Sequence, residues 1–493
     1  MLTRLRVNGF KNLVDVDIHF GAFTCIVGAN GSGKSNLFDA LHFLSQLADK
    51  PLMDAALSVR EEGGRASSGV QNLFHHYGST YAPRMTFEAD MIVPRDVTDD
   101  LGKKAKAASA YLRYSLELSM SQSGGYRALE IEREELRPLS PDAGADDAPL
   151  HFSHSTAWRE SVLAGKRKAL LISTGQGNNG TTITLHQEGV RQNRTQGWPA
   201  AGLPKTILSS RNDAENPTIL AVRRELQAWQ VLQLETTALR QPDDLNAPKH
   251  LAANGQHLAA ALYYLAQAQV KLGNGTSGQD PDRIYTTVAN RLSELIDDVY
   301  GVRIDRDQQR NLLTLYATGK DGADYPARSL SDGTLRFLAL AIIEADPDMQ
   351  GLLCLEEPEN GIHPSRIPAM LKLLQNIACD TQEPVNRFNP LRQVIINTHS
   401  PAVVADVPED SLLLARLTER VDSGHRFKSP QFCGLSDTWR VTNANAAVAT
   451  KGELLGYLMS AYPFGQNEAD ATPDNTARRV VDRPDIQSLF NPS

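Results

Sequence analysis

The fold class of this chain is decided by residues 28–35, which read Gly28-Ala29-Asn30-Gly31-Ser32-Gly33-Lys34-Ser35. This is the pattern G-x-x-x-x-G-K-[ST]. It lies between the apolar run Phe23–Val27 and the stretch 35–47, whose apolar residues recur at helical spacing. Glycines let backbone N–H groups turn toward phosphates, and the helix that follows adds its positive dipole end. We therefore expect residues 28–36, including Asn36, to hold a nucleotide, with Lys34 on the β- and γ-phosphates and Ser35 on Mg²⁺.

Composition narrows the class of protein further. The chain has 493 residues, a net charge of -8, 41% hydrophobic and 22% charged residues, which is typical of a globular protein with about three domains' worth of length. No run of about 18 apolar residues appears, so we expect no membrane insertion. Residues 1–13 (MLTRLRVNGFKNL) lack the apolar stretch of a signal peptide, so we expect none. The acidic balance argues against a constitutive DNA coat, although a local or ATP-gated nucleic-acid contact stays open.

Cysteine usage suggests the compartment. The four cysteines are widely scattered and form no CxxC pair, so we expect neither a disulfide framework nor a cysteine zinc site. A reducing, cytoplasmic location fits this pattern best. The four positions are Cys25, Cys354, Cys379 and Cys433.

Hydrophobic periodicity predicts an α/β protein. Two short strands flank the turn at 9–12, and alternating patterns predict an antiparallel meander over 84–93, 111–120 and 128–136. Residues 151–215 carry no clear pattern. Helical spacing then covers 217–235, 253–271 and 283–299. The rest alternates between strands and helices, as a parallel sheet requires: strand 305–315, helix 333–345, strand 351–355, helix 364–378, and strands 394–397 and 411–414.

Three further motifs follow about three hundred residues after the phosphate-binding loop. Residues 330–334 read LSDGT, residues 352–360 read LLCLEEPEN, and residues 394–401 read VIINTHSP. Taken singly, each has an ordinary structural explanation. An LSxG string is often a helix N-cap, paired acids can be a solvated strand end, and a lone histidine is usually structural.

Together and in this order, the motifs resemble those of the ATP-binding-cassette ATPases. The closer likeness is to the SMC/RecF/OLD-like branch, whose opening strand is similar to GFKNL at 9–13. Within that branch the chain looks most like the compact AAA-type "predicted ATPases" of anti-phage and toxin-like operons. The stretches 234–240 (LETTALR) and 254–262 (NGQHLAAAL) look like that group's middle region.

The resemblance implies a role for each motif. Glu356 stands where the Walker B aspartate usually is and would help hold Mg²⁺; Glu for Asp is a departure from the family pattern. Glu357 matches the catalytic glutamate that orients or deprotonates water, and His399 matches the switch histidine. The signature residues Ser331 and Gly333 would cap the γ-phosphate bound to a partner chain.

A dimer follows from this last assignment. One chain carries one phosphate-binding loop and one signature, so a homodimer, or a higher homo-oligomer, sandwiching two ATP molecules is the economical assembly. Asn360, Gly361 and His363 match the D-loop region, where the dimer interface should pass, although His363 reads more simply as a structural residue at a helix start. Gln71 is a candidate for the glutamine loop, but it reads more readily as an ordinary loop glutamine.

The expected architecture is a P-loop ABC-ATPase head with a mixed, largely parallel sheet, an antiparallel β subdomain and an inserted, mainly helical arm. The predicted divisions are residues 1–140 and 311–455 as the two halves of the head, 141–310 as the insertion, mixed and then helical, and 456–493 as a flexible tail.

Four functions remain open at this point. The first is a sensor or regulatory ATPase of an anti-phage complex that controls a separate nuclease or toxin-like effector. The second is a DNA repair ATPase resembling RecF or SMC heads. A transporter ATPase and a self-contained OLD-type nuclease are weaker readings, since the insert is large and no TOPRIM-like acidic cluster follows His399. Short basic clusters that could touch nucleic acid read more simply as solvated faces: Lys103, Lys104 and Lys106, and Lys166, Arg167 and Lys168.

Overall fold

The computed structural model describes most of the chain. The described residues are 1–59, 69–78, 80–123, 126–140, 150–163, 165, 169–177, 180–188, 195–272, 282–296, 299–422, 424–441, 447–450, 452–456 and 479–483. The cluster Lys166, Arg167 and Lys168 and most of the predicted tail 456–493 lie outside them. Among the described residues, no helix combines the length and the apolar character needed to cross a bilayer.

The chain divides into two compact units. Unit 1 comprises Met1–Gln230, Asp380–Gln393 and Asp410–Thr450. Unit 2 comprises Val231–Cys379, Val394–Glu409 and Lys451–Ser493. The predicted insertion 141–310 is thus shared between the units, and its described part is mixed up to the boundary and richer in helix beyond it.

The elements up to the first unit boundary are mainly strands. The strands are β1 (Leu2–Asn8), β2 (Val16–His19), β3 (Phe23–Val27), β4 (His76–Tyr77), β5 (Thr80–Tyr81), β6 (Arg84–Ile92), β7 (Asp96–Thr98), β8 (Lys104–Lys106), β9 (Tyr111–Ser123), β10 (Tyr126–Pro138), β11 (Ile172–Gly177), β12 (Gly180–His186) and β13 (Thr195–Pro199). The helices are α1 (Lys34–Leu47), α2 (Leu52–Leu57), α3 (Thr156–Val162) and α4 (Pro217–Gln227).

The remaining elements alternate more evenly between strand and helix. The strands are β14 (Gln230–Leu232), β15 (Asp243–Asp244), β16 (Val299–Asp307), β17 (Leu312–Gly319), β18 (Asp324–Pro326), β19 (Gly351–Glu356), β20 (Arg392–Thr398), β21 (Leu412–Asp422) and β22 (His425–Cys433). The helices are α5 (Thr236–Leu239), α6 (Leu258–Leu272), α7 (Asp282–Leu295), α8 (Asp332–Ala345), α9 (Ile367–Ile377) and α10 (Pro401–Asp406). The α/β class is therefore confirmed.

Unit 1 is built on an eight-stranded antiparallel sheet with the order β13-β12-β11-β10-β9-β6-β1-β2. The predicted meander forms its centre, as β6, β9 and β10. Strands β11 to β13 extend it through the stretch where the sequence showed no clear pattern. Strand β12 does alternate, because Ile183 and Leu185 are buried while their neighbours are only partly buried, but the run is too short to stand out.

A second strand pair of unit 1 leads to the phosphate-binding loop. Strand β3 is buried at all five positions and runs parallel to β21, with Cys25 opposite Leu412 and Val27 opposite Leu414. The strand ends directly before Gly28. Because β3 is buried and paired, the start of the loop that follows it is held in a fixed position.

Unit 2 places its motifs at the ends of buried elements. Strand β20 is buried at all seven positions, and β19 is buried up to its last residue, Glu356. These two strands are neighbours in one sheet, in the order β14-β19-β20. Helix α8 begins directly after Ser331 and is buried from Gly333 to Ile343 except at Arg336. The glutamates and the histidine therefore leave the core at the ends of β19 and β20.

Four predicted helices and one predicted strand need correction. The helix predicted at 217–235 ends at Gln227, because the chain turns at buried Trp229 and enters β14. The helix predicted at 253–271 begins only at Leu258, because Gly255 (φ 90°) and His257 (φ 70°) adopt left-handed conformations that end a helix.

The remaining corrections lie between α7 and α9. The helix predicted at 283–299 ends at Leu295, and Val299 begins β16. The single strand predicted at 305–315 is two antiparallel strands, β16 and β17, with Asn311 in the left-handed region (φ 54°) between them. The helix predicted at 364–378 starts as a 3-10 turn, and its α-helical part is Ile367–Ile377.

Candidate nucleotide site

Two of the three glycines of residues 28–35, Gly28 and Gly33, are required by the space around them. A Cβ on Gly28 would lie 2.5 Å from the carbonyl oxygen of Ala415, and one on Gly33 would lie 2.8 Å from the Pro430 ring. Gly33 also has φ 93° and is the N-cap of α1, whereas a Cβ on Gly31 (φ 77°) would meet nothing within 4 Å. The loop is therefore narrow at both ends and open at Gly31, where backbone can approach a ligand.

Lys34 and Ser35, the predicted phosphate and Mg²⁺ residues, differ in their surroundings. The Lys34 ammonium is buried and donates to the carbonyl oxygens of Gly28 (2.6 Å) and Ala29 (3.0 Å). Ser35, in the first turn of α1, is exposed, as are Ala29, Asn30 and Gly31, whereas Ser32 is buried. The cation is thus held inside the loop, and the serine hydroxyl faces solvent beside it.

The N-terminal turn braces this loop, which the sequence did not indicate. Asn36 donates from Nδ2 to Oδ1 of Asn12 (3.0 Å), so in this structure the side chain of Asn36 is engaged within the protein. Lys11 and Asp39 form a buried ion pair with 2.7 Å between Nζ and Oδ2. Both contacts come from the stretch GFKNL at 9–13, which the sequence analysis relates only to an opening strand.

In unit 2 the structure brings Glu357 and His399 together. Nδ1 of His399 lies 2.6 Å from Oε1 of Glu357, although 42 positions separate them in the chain. The other carboxylate oxygen, Oε2, accepts from Nδ2 of Asn360 (2.9 Å). Glu357 adopts φ 45°, and its backbone N–H points to the carbonyl oxygen (3.0 Å) and to Oδ1 (3.2 Å) of Asn397. A non-glycine residue in this region is held by its surroundings, here by the end of β20.

Directly behind that pair lies a buried carboxyl that sequence reasoning missed. Glu359 is 7% exposed, and its Oε1 accepts a hydrogen bond from Oγ1 of Thr398. Its Oε2 has no hydrogen-bond partner among the described residues. Burial raises the pKa of Glu359 above its usual value. The same Thr398 hydroxyl accepts from the Ser400 backbone N–H (2.8 Å), so it ties Glu359 to the turn that carries His399.

The signature lies at an exposed helix start. Ser331 caps α8, with Oγ accepting from the backbone N–H of Thr334 (3.2 Å). Gly333 packs so closely on the backbone of Gly361 that a Cβ there would overlap the Gly361 carbonyl oxygen. Arg336 donates to the carbonyl oxygen of Asn360 (2.7 Å). The signature and the D-loop region are thus one packed structure.

Several other candidates have simpler roles. His363 accepts from the Ser365 backbone N–H at the start of a 3-10 turn, as a structural residue would. Gln71 lies in a 3-10 turn at Val70–Leu73. The basic residues Lys103, Lys104 and Lys106 are all exposed on or beside strand β8. The four cysteines are buried and form no disulfide.

Comparison with known proteins identifies the family. A family model described as "AAA domain, putative AbiEii toxin, Type IV TA system" matches residues 23–93 and 130–405, more than half of the chain. The chain belongs to this AAA family. The two matched segments include both the phosphate-binding loop and the motifs from the signature to His399. The predicted membership of the SMC/RecF-like branch of P-loop ATPases is thereby confirmed.

Individual relatives match this AAA-family chain over short segments. It is 35% identical over 121 residues to the chromosome partition protein Smc of Cereibacter sphaeroides, covering 22% of this chain and 10% of that protein. It is 46% identical over 46 residues to the DNA replication and repair protein RecF of Bacteroides fragilis, covering 9% of this chain and 12% of that protein. The matched segments span only about a tenth of the length of these relatives.

Several solved structures align along most of the chain, and one of them is a representative example. It is a crystal structure of an SMC head bound to the C-winged helix domain of ScpA. The alignment covers 88% of this chain and 98% of that chain, with 13% identity and a TM-score of 0.42.

Proposed function

We propose that this protein binds and hydrolyses ATP between two copies of itself and uses the cycle as a molecular switch. The observation that carries this proposal is the contact of 2.6 Å between Glu357 and His399. It joins a carboxylate that can orient water to an imidazole that can face a phosphoryl group. Phosphoryl transfer needs mainly such positioning and charge stabilisation.

The residues present fit a nucleotide with Mg²⁺. The Gly28–Gly33 loop has no room for side chains at its two ends, the Lys34 ammonium is directed inside it, and the exposed Ser35 hydroxyl stands beside it. Ser35 and Glu356 would hold Mg²⁺, which when bound neutralises phosphate charge. Lys34 would exchange its carbonyl contacts for the β- and γ-phosphate oxygens. Glu357 would accept a proton from the attacking water.

Dimerisation is supported by the exposure of the signature. Ser331 and Asp332 are exposed at the N-terminus of α8, where backbone N–H groups and the helix dipole favour an anion. Since each chain carries one such helix start and one phosphate-binding loop, two chains would complete two sites. In this arrangement Ser331 and Gly333 of one chain cap the nucleotide bound to the other.

We further propose that the switch regulates a separate effector, a nuclease or a toxin-like protein, in an anti-phage complex. The family description, which includes a putative toxin of a type IV toxin–antitoxin system, supports this role. A DNA repair or recombination ATPase is the alternative, and the short RecF-like and Smc-like segments favour it. The identity of a co-purifying partner or a nucleic acid retained in ATP distinguishes the two.

Light scattering tests the dimer directly. We expect Glu357→Gln protein to double its mass when ATP and Mg²⁺ are added, because hydrolysis no longer reopens the dimer. Combining Glu357→Gln with Ser331→Arg in the same chain should prevent the doubling of the mass, while ATP binding to the single chain is unchanged. Ser293→Arg is the matched control, since Ser293 is also exposed in unit 2 but lies on α7. Equal ATP-dependent dimers in the Ser331 and Ser293 variants would overturn the proposed dimer.

A further inference from the structure

Two stretches of the middle region, 234–240 (LETTALR) and 254–262 (NGQHLAAAL), have no role in the function proposed above. The structure joins them. The Glu235 backbone N–H donates to the carbonyl oxygen of Asn254 (3.0 Å). Gly255 (φ 90°) packs on buried Leu239, where a Cβ would lie 2.9 Å from the leucine Cδ2. The two stretches therefore form one small frame around helix α5.

Asp243 fixes the other side of this frame. It is buried, and its Oδ2 accepts from the backbone N–H of Ala260 in the first turn of α6 (3.0 Å). Nδ1 of His257 lies 3.3 Å from its Oδ1. The chain is thus held before α5 by Asn254 and after it by Asp243. Arg240, the residue directly after α5, lies between these two anchors and has a defined position.

Arg240 reaches the signature from this frame. Its Nη2 donates to the carbonyl oxygen of Leu330 (3.0 Å) and to Oδ1 of Asp332 (2.6 Å), 92 positions away in the chain. The two acceptors lie on either side of Ser331. One guanidinium nitrogen therefore holds the turn from which the capping serine projects.

Because Asp332 is charged, its contact with Arg240 has an electrostatic effect as well as a structural one. Asp332 is the first residue of α8, and its side chain is 54% exposed. A carboxylate there is stabilised by the helix dipole, but it also repels any phosphate that approaches the same helix start. The guanidinium of Arg240, 28% exposed, neutralises that carboxylate. Without the arginine, the helix start would present an uncompensated negative charge to a triphosphate.

We propose that Arg240 is the positioning residue of the signature: it fixes the turn 330–332 and neutralises Asp332, so that Ser331 and Gly333 can cap the nucleotide of a partner chain. This inference rests on the ATP-sandwiched dimer proposed above and adds to it a residue outside the motifs that define the site. Arg240 belongs functionally to the chain that supplies the signature, and it acts in trans.

A series of variants that remove or keep the two charges tests the neutralisation. We expect Arg240→Gln to lower ATP turnover about ten-fold at low salt, with a smaller loss at high salt, which screens the unmasked carboxylate. ATP binding to the single chain should not change. Arg240→Lys, which keeps the charge, should retain most of the turnover. Arg240→Gln combined with Asp332→Asn should recover most of it, because the repelling charge is gone. A double variant as defective as Arg240→Gln alone would overturn the proposal.

Arg291→Gln is the matched control. Arg291 is 29% exposed and pairs with Glu344, near the other end of the same helix α8, roughly 18 Å along its axis. A merely structural contribution of an arginine to α8 would appear in both variants. We expect the Arg291 variant to melt slightly lower and to turn over ATP as the wild type does. Equal turnover losses in both variants would overturn the specific role of Arg240.

Mixing variants tests the action in trans. Lys34→Ala chains lack a working phosphate-binding loop, and Arg240→Gln chains lack the neutralised signature. A mixed dimer pairs the intact loop of one with the intact signature of the other, so turnover should rise above the average of the separate proteins. If the wild type is active but the mixture shows no rise in turnover, only the trans role of Arg240 is overturned. A wild type that neither dimerises nor hydrolyses ATP would overturn the proposed function, and this inference with it.

Discussion

The loop at residues 28–35 and the Glu357–His399 region, the two parts of the proposed function, are built in different ways. The loop consists of consecutive residues, with Lys34 bonded to carbonyl oxygens five and six positions away. The second region is assembled from separate segments, with Glu357 bonded to Asn360, Asn397 and His399. We therefore expect the geometry of the loop to change little when residues elsewhere are substituted. The geometry around Glu357 should depend on each of its contacts.

The strongest test of the local motif is Lys34→Ala. We expect ATP affinity to fall about a hundred-fold or more, because the substitution removes a charge-assisted contact to phosphate. Isothermal titration with a slowly hydrolysed ATP analogue measures it. The control is Lys103→Ala, which removes an exposed lysine of unit 1. Wild-type affinity in the Lys34 variant would exclude this loop as the nucleotide site.

Glu357→Gln tests the assembled region. The amide keeps the shape and the contact to Asn360 but cannot accept a proton, so we expect turnover to fall about a hundred-fold with ATP binding retained. The neighbouring variant Glu356→Gln is the internal comparison, since it should raise the Mg²⁺ concentration needed for activity. Phosphate release over a Mg²⁺ series separates them. If Glu357→Gln turned over like the wild type, the base would lie elsewhere.

Thr398→Val tests whether the assembled region depends on its buried support. Valine keeps the volume but removes the hydroxyl that bonds Glu359 and accepts from Ser400. A buried polar group left unpaired costs about 1–3 kcal/mol, so we expect a lower melting temperature and a loss of turnover of a few-fold as the His399 turn loosens.

The control for this support is Thr418→Val on β21, where the hydroxyl donates only to the carbonyl oxygen of Ser429 (3.3 Å). This variant should melt near the wild type and keep its turnover. If Thr398→Val behaved in the same way, the contact between Thr398 and Glu359 would contribute nothing to the site.

The smallest effect on catalysis is expected at Glu134, a buried carboxyl of unit 1 outside the candidate site. Its oxygens accept from the backbone N–H groups of Ile207 (2.7 Å) and Leu208 (2.9 Å) and from the Tyr114 hydroxyl (3.2 Å). Burial raises the pKa of Glu134 to about 7 despite these donors. Glu134→Gln should leave turnover within about two-fold, since it touches none of the site residues.

The pH dependence of stability is the readout for Glu134. Because its folded pKa is raised above the ordinary value of 4.5, the native state holds a proton that the unfolded state releases. Its stabilising contribution is present at low pH and is lost as the pH rises from about 4.5 through about 7. Melting temperature should therefore fall more steeply across this window in the wild type than in Glu134→Gln. Parallel curves would contradict the raised pKa.

Much of the fold followed from periodicity, and the errors have a common cause. The meander strands and helices α1 and α8 were predicted because each buries one regular pattern of apolar residues. The predictions at 217–235 and 305–315 were wrong because the pattern continues through a change of structure, at Trp229 and at Asn311. In both places strand pairing overrides a local preference that is weak over so few residues.

The candidate site divides in the same way. Residues 28–35 and the paired acids could be predicted as candidates because each motif consists of residues that are adjacent in the sequence. Glu359 gave no signal, because an acid after the paired acids resembles a solvated strand end until it is seen to be buried. Asn397 and Thr398 read as the end of an apolar strand.

The sequence by itself determined the family and the place of the phosphate-binding loop, since glycine, lysine and serine at fixed spacing leave the backbone few alternatives. Only the tertiary structure decided what holds the motifs of unit 2: Asn397 and His399 on Glu357, Thr398 on Glu359, and Arg240 on Asp332. These contacts join residues about 40 to 92 positions apart. Hydrogen bonds and ion pairs act over a few ångströms, and only the packing of strands and helices brings such distant residues within that range.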